Sequence, residues 1–513
     1  MVRLVTVERR DDDVIIAGVV LLYGLLYYHF RYWKRRGIPQ LRPSIPFGDI
    51  GPVFRQKQYL GETYATLYHK SKQFLVAGIY LSLRPVLLVN DPQLIKDILV
   101  RDFDHFNGRG VYADEKRDPM SAHLFSISGE QWKNLRQKLN PAFSPVRLRG
   151  MLPILTDVGR TLQEYIGKCA EAGDVVEVRE VMGRYTTDVI ASVAFGLEVD
   201  SINDGSNTFR QMGLKVFGND LKNSLRMAFT FFVPEFKDLL GINCAAPEVE
   251  QFVRNVVRET IEYRESNNVS RKDLMQLLLQ LRNSGSVSSD GKWDLTVSHG
   301  AKSFSLEQIM ANTFAFFFAG YETSSSVISF TLYELAKNPA IQRKVQQEID
   351  SVLNSNPAEI TIEALAKMRY LECCINELYR KFPPVPFLNR ACTKEYVIPG
   401  TNTVIARGTP IIISLLGLGR DPQYYPEPER FIPERFENET EMQTLPFYPF
   451  GGGPRTCIAG KLGHLQTKLA LAMLLSMFDM KLANEDEGEI RFDPKAFTLL
   501  PIGGLNLVFT KRT

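Results

Sequence analysis

One helical pattern runs without a break from Ser305 to Lys337 and limits what this chain can build. At 1.5 Å per residue it spans about 50 Å. Ser305 with Gln308 reads as a capping box, and Asn338-Pro339 stops the run. Its middle, residues 314–319, is apolar on every side, which predicts a helix inside the protein rather than on its surface. A buried rod of that length requires a large helical body around it. Gly320, Glu322 and Thr323 interrupt the greasy centre. Glycine costs about 1 kcal/mol there relative to alanine, and an unpartnered buried acid costs more, so the segment implies a compensating role.

A second constraint is the loop Phe450-Gly-Gly-Gly-Pro-Arg-Thr-Cys-Ile-Ala-Gly460. After Cys457, residues Ile458, Leu462, Leu465 and Leu469 recur at three- and four-residue steps, predicting a helix that starts at or just beyond the cysteine. The unpaired N–H groups of its first turn and the positive dipole end then face the sulfur and favour a thiolate able to ligate a metal. Gly451, Gly452 and Gly453 allow a tight turn and close approach to a flat ligand. Arg455 is set to pair with an anionic group on its rim. A cysteine taken alone is more often a buried structural thiol; the glycines, arginine and phenylalanine at these offsets argue otherwise.

The 44% apolar content is ample for a core, and a net charge of +3 gives no basic surface for nucleic acid. Six cysteines without zinc or CxxC spacing fit a reducing compartment. Residues 14–28 form an unbroken apolar run that with 29–33 reaches about bilayer-spanning length, followed by Lys34, Arg35 and Arg36. This predicts a lumenal tail (1–13), an uncleaved transmembrane anchor (14–33), a basic, proline-rich spacer (34–46) and a cytoplasmic body (47–513). Helices dominate the body. β-type patches lie at 74–89, 396–413 and 499–509, helical spacing covers 91–101 and 361–382, and the polar stretch 283–303 reads as a surface loop.

Phe450-x-x-Gly-x-Arg-x-Cys457 resembles the haem-binding loop of the cytochrome P450 family. Ala459 departs from that pattern, which usually has glycine there. Ala319-Gly-Tyr-Glu-Thr323 resembles the family's oxygen-activating segment, and Glu377-x-x-Arg380, followed by two prolines, resembles its structural ion pair. The resemblance covers nearly the whole chain, with motifs in the right order. It implies a mainly α fold with small β-sheets, the cytochrome P450 fold, behind a single N-terminal anchor. It further implies haem b (iron protoporphyrin IX) ligated by Cys457, with Trp132, Arg136, Arg390 and Arg455 on its propionates and Phe450 packed beside the loop. Thr323 and Glu322 then serve oxygen activation and proton delivery, and Arg435 completes a scaffold with Glu377 and Arg380. Pocket positions by the same analogy are Val111 and Phe125, Phe316 and Ala319, Val385 and Phe387, and Leu500 and Ile502.

The implied activity is insertion of one atom of O2 into small apolar molecules. The loops at 104–112 and 118–125 look most like insect microsomal members that act on foreign compounds; an endogenous hormone, fatty acid or pheromone is the alternative. A haem-thiolate isomerase or dehydratase and a non-catalytic haem protein fit the Glu322-Thr323 pair less well. No Gly-x-Gly-x-x-Gly nucleotide fingerprint is present, so electrons from NADPH must come through a separate flavoprotein reductase, with cytochrome b5 as a second donor. Lys133, Lys138, Lys461 and Lys468 are the expected docking cations. Residues 227–233 are expected at a substrate-channel lip facing lipid, and the location is the endoplasmic reticulum membrane.

Overall fold

A computed structural model describes residues 2–218, 220–232, 234, 237, 241–287, 293, 304–354, 360–484, 490–496 and 498–512. Helices predominate, with three small sheets among the described residues. The first contains β1 (Val76–Leu81), β2 (Arg84–Val89), β4 (Phe387–Ala391) and β7 (Pro410–Ser414), ordered β1-β2-β7-β4. β3 (Val175–Glu177) pairs with the C-terminal β9 (Asn506–Lys511), which also pairs with β8 (Phe478–Leu482). β5 (Tyr396–Val397) and β6 (Val404–Ile405) form a separate hairpin. All three expected β patches therefore contain strands.

The long helix occupies Leu306–Lys337, and Ser305 and Gln308 make both capping-box bonds. Every residue from 324 to 336 is buried. Its neighbour is the helix Val178–Ile190, and Gly320 allows their approach: a Cβ there would meet Ile190 Cδ1 at 2.7 Å. The 361–382 pattern divides at Met368 into Ile362–Lys367 and Arg369–Lys381, and 91–101 becomes Pro92–Lys96 followed by a π-helical turn. Most of the polar stretch 283–303 lies outside the described residues; Asn283 and Ser284 end the helix Leu274–Ser284.

The N-terminal helix covers Val2–His29, and residues 14–25, 27 and 28 leave their side chains largely exposed. Among the described residues no helix is long and apolar enough to cross a membrane. The segment beyond this helix is not a free spacer. Trp33 is 2% exposed, its Nε1 donates to Ile79 O at 3.2 Å, and it covers Gly78, where a Cβ would stand 2.1 Å from the indole. Phe30 packs edge-on against Tyr80, and Gln40 braces the turn by donating to Phe30 O and accepting from Lys34 N. Prolines do keep 39–46 irregular, but burial of Phe30, Trp33 and Ile38 fastens the connector to β1.

Candidate active site

Cys457 follows a short turn, Gly453–Arg455, and stands three residues before the helix Gly460–Met477. Gly451 and Gly453 take φ values of 78° and 65°. At Gly453 a Cβ would lie 1.8 Å from Leu99 O, so no other residue fits. Cys457 N donates to Phe450 O at 2.8 Å, and the Phe450 ring meets Tyr379 edge-on. Ala459 sits at φ −91°, ψ 10°, a negative-φ conformation open to residues with a side chain, so the backbone there does not require glycine.

The Cys457 side chain has accessible surface, yet protein surrounds it closely enough that burial is the largest influence on its thiol and pushes the pKa up. Both hold for a sulfur that faces an interior cleft. The Ala459 N–H, Arg109 and Arg136 oppose the rise without cancelling it. In the protein alone desolvation outweighs the expected bias toward thiolate; coordination to a cation favours the deprotonated sulfur.

Four arginines converge beside this cysteine. Arg455 is 1% exposed, lies 4.3 Å over the Trp132 ring and donates to the carbonyls of Asn107, Leu124, Phe125 and Ile127. Arg136 donates to Thr456 O at 2.9 Å. Arg390, on β4, is 2% exposed, and its Nε and Nη2 are buried without a partner. Arg109 bonds Phe125 O and Arg455 O and stacks 4.0 Å over the Phe125 ring. Among the described residues none of the four pairs with a carboxylate. Burial lowers Arg390 to about 10 and, helped by Arg390 and Arg136, Arg455 to about 9. Arg109 falls well below its ordinary value through burial and the neighbouring Arg390 and Arg455. Four guanidinium groups without a carboxylate partner, one of them with two unfilled buried donors, beside a sulfur ligand fit a flat dianionic metal complex, which is what haem is.

The long helix adjoins this region: a Cβ at Gly463 would stand 3.7 Å from Ser324 Oγ. Ala319 is exposed although the helix around it is largely buried, and Thr323 is partly so. Thr323 Oγ1 donates back to Ala319 O at 2.7 Å, leaving its lone pairs for another donor. Glu322 is buried and ion-paired with Arg179. On the helix Arg369–Lys381, Glu377 and Arg380 have no exposed side-chain area and join through bonds of 2.7 and 2.8 Å, with Arg435 Nε 3.5 Å from Glu377.

The pocket positions divide. Phe125, Phe231, Phe318 and Phe217 form a continuous aromatic chain with centroid spacings of 6.0, 6.5 and 4.8 Å. Phe387 joins it through Phe232, which follows the helix Leu221–Phe231 of the expected lip; Val233 lies outside the described residues. Val385 is 44% exposed and Leu500 partly exposed. Phe316 packs instead against Phe143 in the core. Val111 lines an outer cleft with Ala113, Gln131 and Lys138, and Ile502 lines another with Gln56, Lys57 and Glu62. The structure brings neither to the aromatic chain. Arg109, Phe217 and Phe318 were missed: no spacing rule marks them, although a Phe-rich 314–318 run was the available signal for Phe318.

Of the expected docking cations, Lys133, Lys138 and Lys461 are exposed. Lys468 is a correction: it is 6% exposed and held by Glu372 at 2.8 Å, because its helix face turns inward.

The family model for Cytochrome P450 matches residues 39–508. A probable cytochrome P450 6d5 of Drosophila melanogaster is 41% identical over 497 residues, 96% of this chain and 97% of that protein. Cytochrome P450 6d3 of Musca domestica is also 41% identical, over 94% of this chain and 96% of its own length. Cytochrome P450 6k1 of Blattella germanica is 36% identical over 98% of this chain and 97% of its own.

Proposed function

Since this chain belongs to the cytochrome P450 family, haem-thiolate monooxygenases that use O2 and NADPH-derived electrons, we propose that it oxidises small apolar foreign compounds such as plant toxins or insecticides with electrons from NADPH–cytochrome P450 reductase. The observation that carries the substrate class is the aromatic chain Phe125–Phe231–Phe318–Phe217 beside the exposed Ala319. Such a wall offers dispersion and π contact, with the Arg109 guanidinium against the ring of Phe125 as its charged neighbour, so it selects chiefly apolar, aromatic-tolerant molecules.

Haem, when bound, supplies oxygen activation and transfer of one oxygen atom to the substrate. Cys457 holds its metal. Arg136, Arg390 and Arg455, with the Trp132 indole and Arg109, would hold its carboxylates. Phe450 packs the cysteine loop, and Glu377, Arg380 and Arg435 tie the scaffold behind it. Thr323 presents a hydroxyl at the open face of the long helix, and Glu322 delivers protons through water to that hydroxyl. Ala319, Val385, Phe387 and Leu500 complete the pocket wall. Lys133, Lys138 and Lys461 form the docking face for the reductase and for cytochrome b5.

The exposed apolar helix surface at 14–28, followed by Arg31, Lys34, Arg35 and Arg36, supports an anchor in the endoplasmic reticulum membrane over the outer part of the expected 14–33 span, with Phe30 and Trp33 docked on the body, 34–46 as the connector and 47–513 as the cytoplasmic catalytic body. Full-length holoenzyme with reductase and NADPH is expected to convert members of a panel of apolar plant compounds and insecticides to products heavier by one oxygen. Turnover confined to hormones, pheromones or fatty acids would overturn the substrate class. Absence of any substrate-dependent NADPH consumption would overturn the activity.

A further inference from the structure

Glu322 is not free in its helix. Its Oε1 takes the Arg179 ion pair, a hydrogen bond from Thr498 Oγ1 at 3.0 Å and a weaker one from Ser326 Oγ at 3.5 Å. Among the described residues no hydrogen bond falls on Oε2. The three donors therefore grip one oxygen, and no described donor holds the other. A carboxylate held this way has a fixed rotamer, which a proton-delivering acid needs and a free side chain lacks.

Both principal donors lie close in sequence to strands of the β3-β9-β8 sheet. Arg179 lies in the first turn of the helix Val178–Ile190, whose start is capped by Glu177. Glu177 Oε1 also accepts from Leu505 N at 2.8 Å, and Val178 N donates to Leu505 O at 2.9 Å. Thr498 stands two residues before Leu500, on the loop that contributes to the pocket wall. The relay acid, the helix start and the substrate-facing loop are thus one hydrogen-bonded unit.

We propose that Arg179 and Thr498 are positioning residues that hold Glu322 by Oε1 so that Oε2 faces the proton path, with Thr498 coupling that geometry to the substrate loop. The inference rests on the reading of Glu322 as the proton-delivering acid. Neither residue touches the reacting atoms, so each acts through Glu322 alone.

The test uses full-length holoenzyme with reductase and NADPH and no added substrate, where oxygen leaves as hydrogen peroxide or, with two further electrons and two further protons, as water. Arg179→Met and Thr498→Val are each expected to raise the ratio of peroxide to water on the order of tenfold, part of the 10²–10⁴ that a positioned proton donor supplies. Arg179→Lys and Thr498→Ser should restore most of the loss. Added to Glu322→Gln, neither change should worsen it further. Infrared difference spectra against Glu322→Gln should show the carboxylate band shifted in both variants, while the carbon monoxide spectrum stays native. If Glu322→Gln raises peroxide release but Arg179→Met and Thr498→Val do not, the positioning role is refuted and the acid's role stands. If Glu322→Gln itself leaves the ratio unchanged, the acid's role fails and the inference falls with it.

Discussion

Replacing Glu377 by alanine should destabilise the protein through what it leaves behind. Arg380 has no exposed side-chain area, and its Nε and Nη2 both donate to the Glu377 carboxylate. Glu377 Oε1 also accepts from Ile432 N at 2.8 Å and lies 3.5 Å from Arg435 Nε. Truncation strands a buried guanidinium, orphans an N–H and removes the anion facing a second arginine. Breaking a buried pair from one side costs about 3–5 kcal/mol. Unfolding entropy is about 2.1 cal/mol/K per residue, so across the residues 39–508 it comes to about 1 kcal/mol/K. The thermal midpoint should therefore drop about 3–5 °C, read by circular dichroism at one scan rate and equal haem content. Glu377→Leu combined with Arg380→Met removes both charges and should cost less than the single change. A single variant within about 1 °C of wild type, or milder than the double, would refute the reasoning.

Two further outcomes stem from buried groups. Arg390→Met should weaken haem retention by about 1.5–3 kcal/mol, measured as transfer to apomyoglobin, yet leave the haem-free protein as stable or more so, because Nε and Nη2 have no protein partner to lose. Asp188 is raised by burial to about 6, against the opposing N–H bonds of Ser201 and Ile202. Below its unfolded value, near 3.9, both states are protonated. As pH climbs from there to about 6 the unfolded chain loses its proton first, so stability falls with rising pH. Wild type relative to Asp188→Asn should thus lose about 3 kcal/mol over that window in urea titrations, and a flat difference would refute the assignment.

The readable parts of this chain were those whose chemistry is local. A capping box, a glycine turn before a cysteine and an i,i+3 ion pair are complete within a few residues, so Ser305, Cys457 and Glu377 could be located without coordinates. Arg109, Arg179 and Thr498 could not, because each matters through a partner more than a hundred residues away. Lys468 misled for a related reason: a lysine's pattern signals solvent, but the face it occupies here packs inward against Glu372. The docking of Trp33 ahead of the connector was not legible either, because it depends on the missing side chain of Gly78.

That docking makes the first helix a handle. A rod of 28 residues is about 42 Å long, and with Trp33 wedged over Gly78 it meets the body at a set angle instead of swivelling on a cord. If the exposed apolar stretch 14–28 sits in a membrane as proposed, the lie of that rod would set the pose of the four-stranded sheet, and with it the bearing of Arg390 and of the aromatic wall.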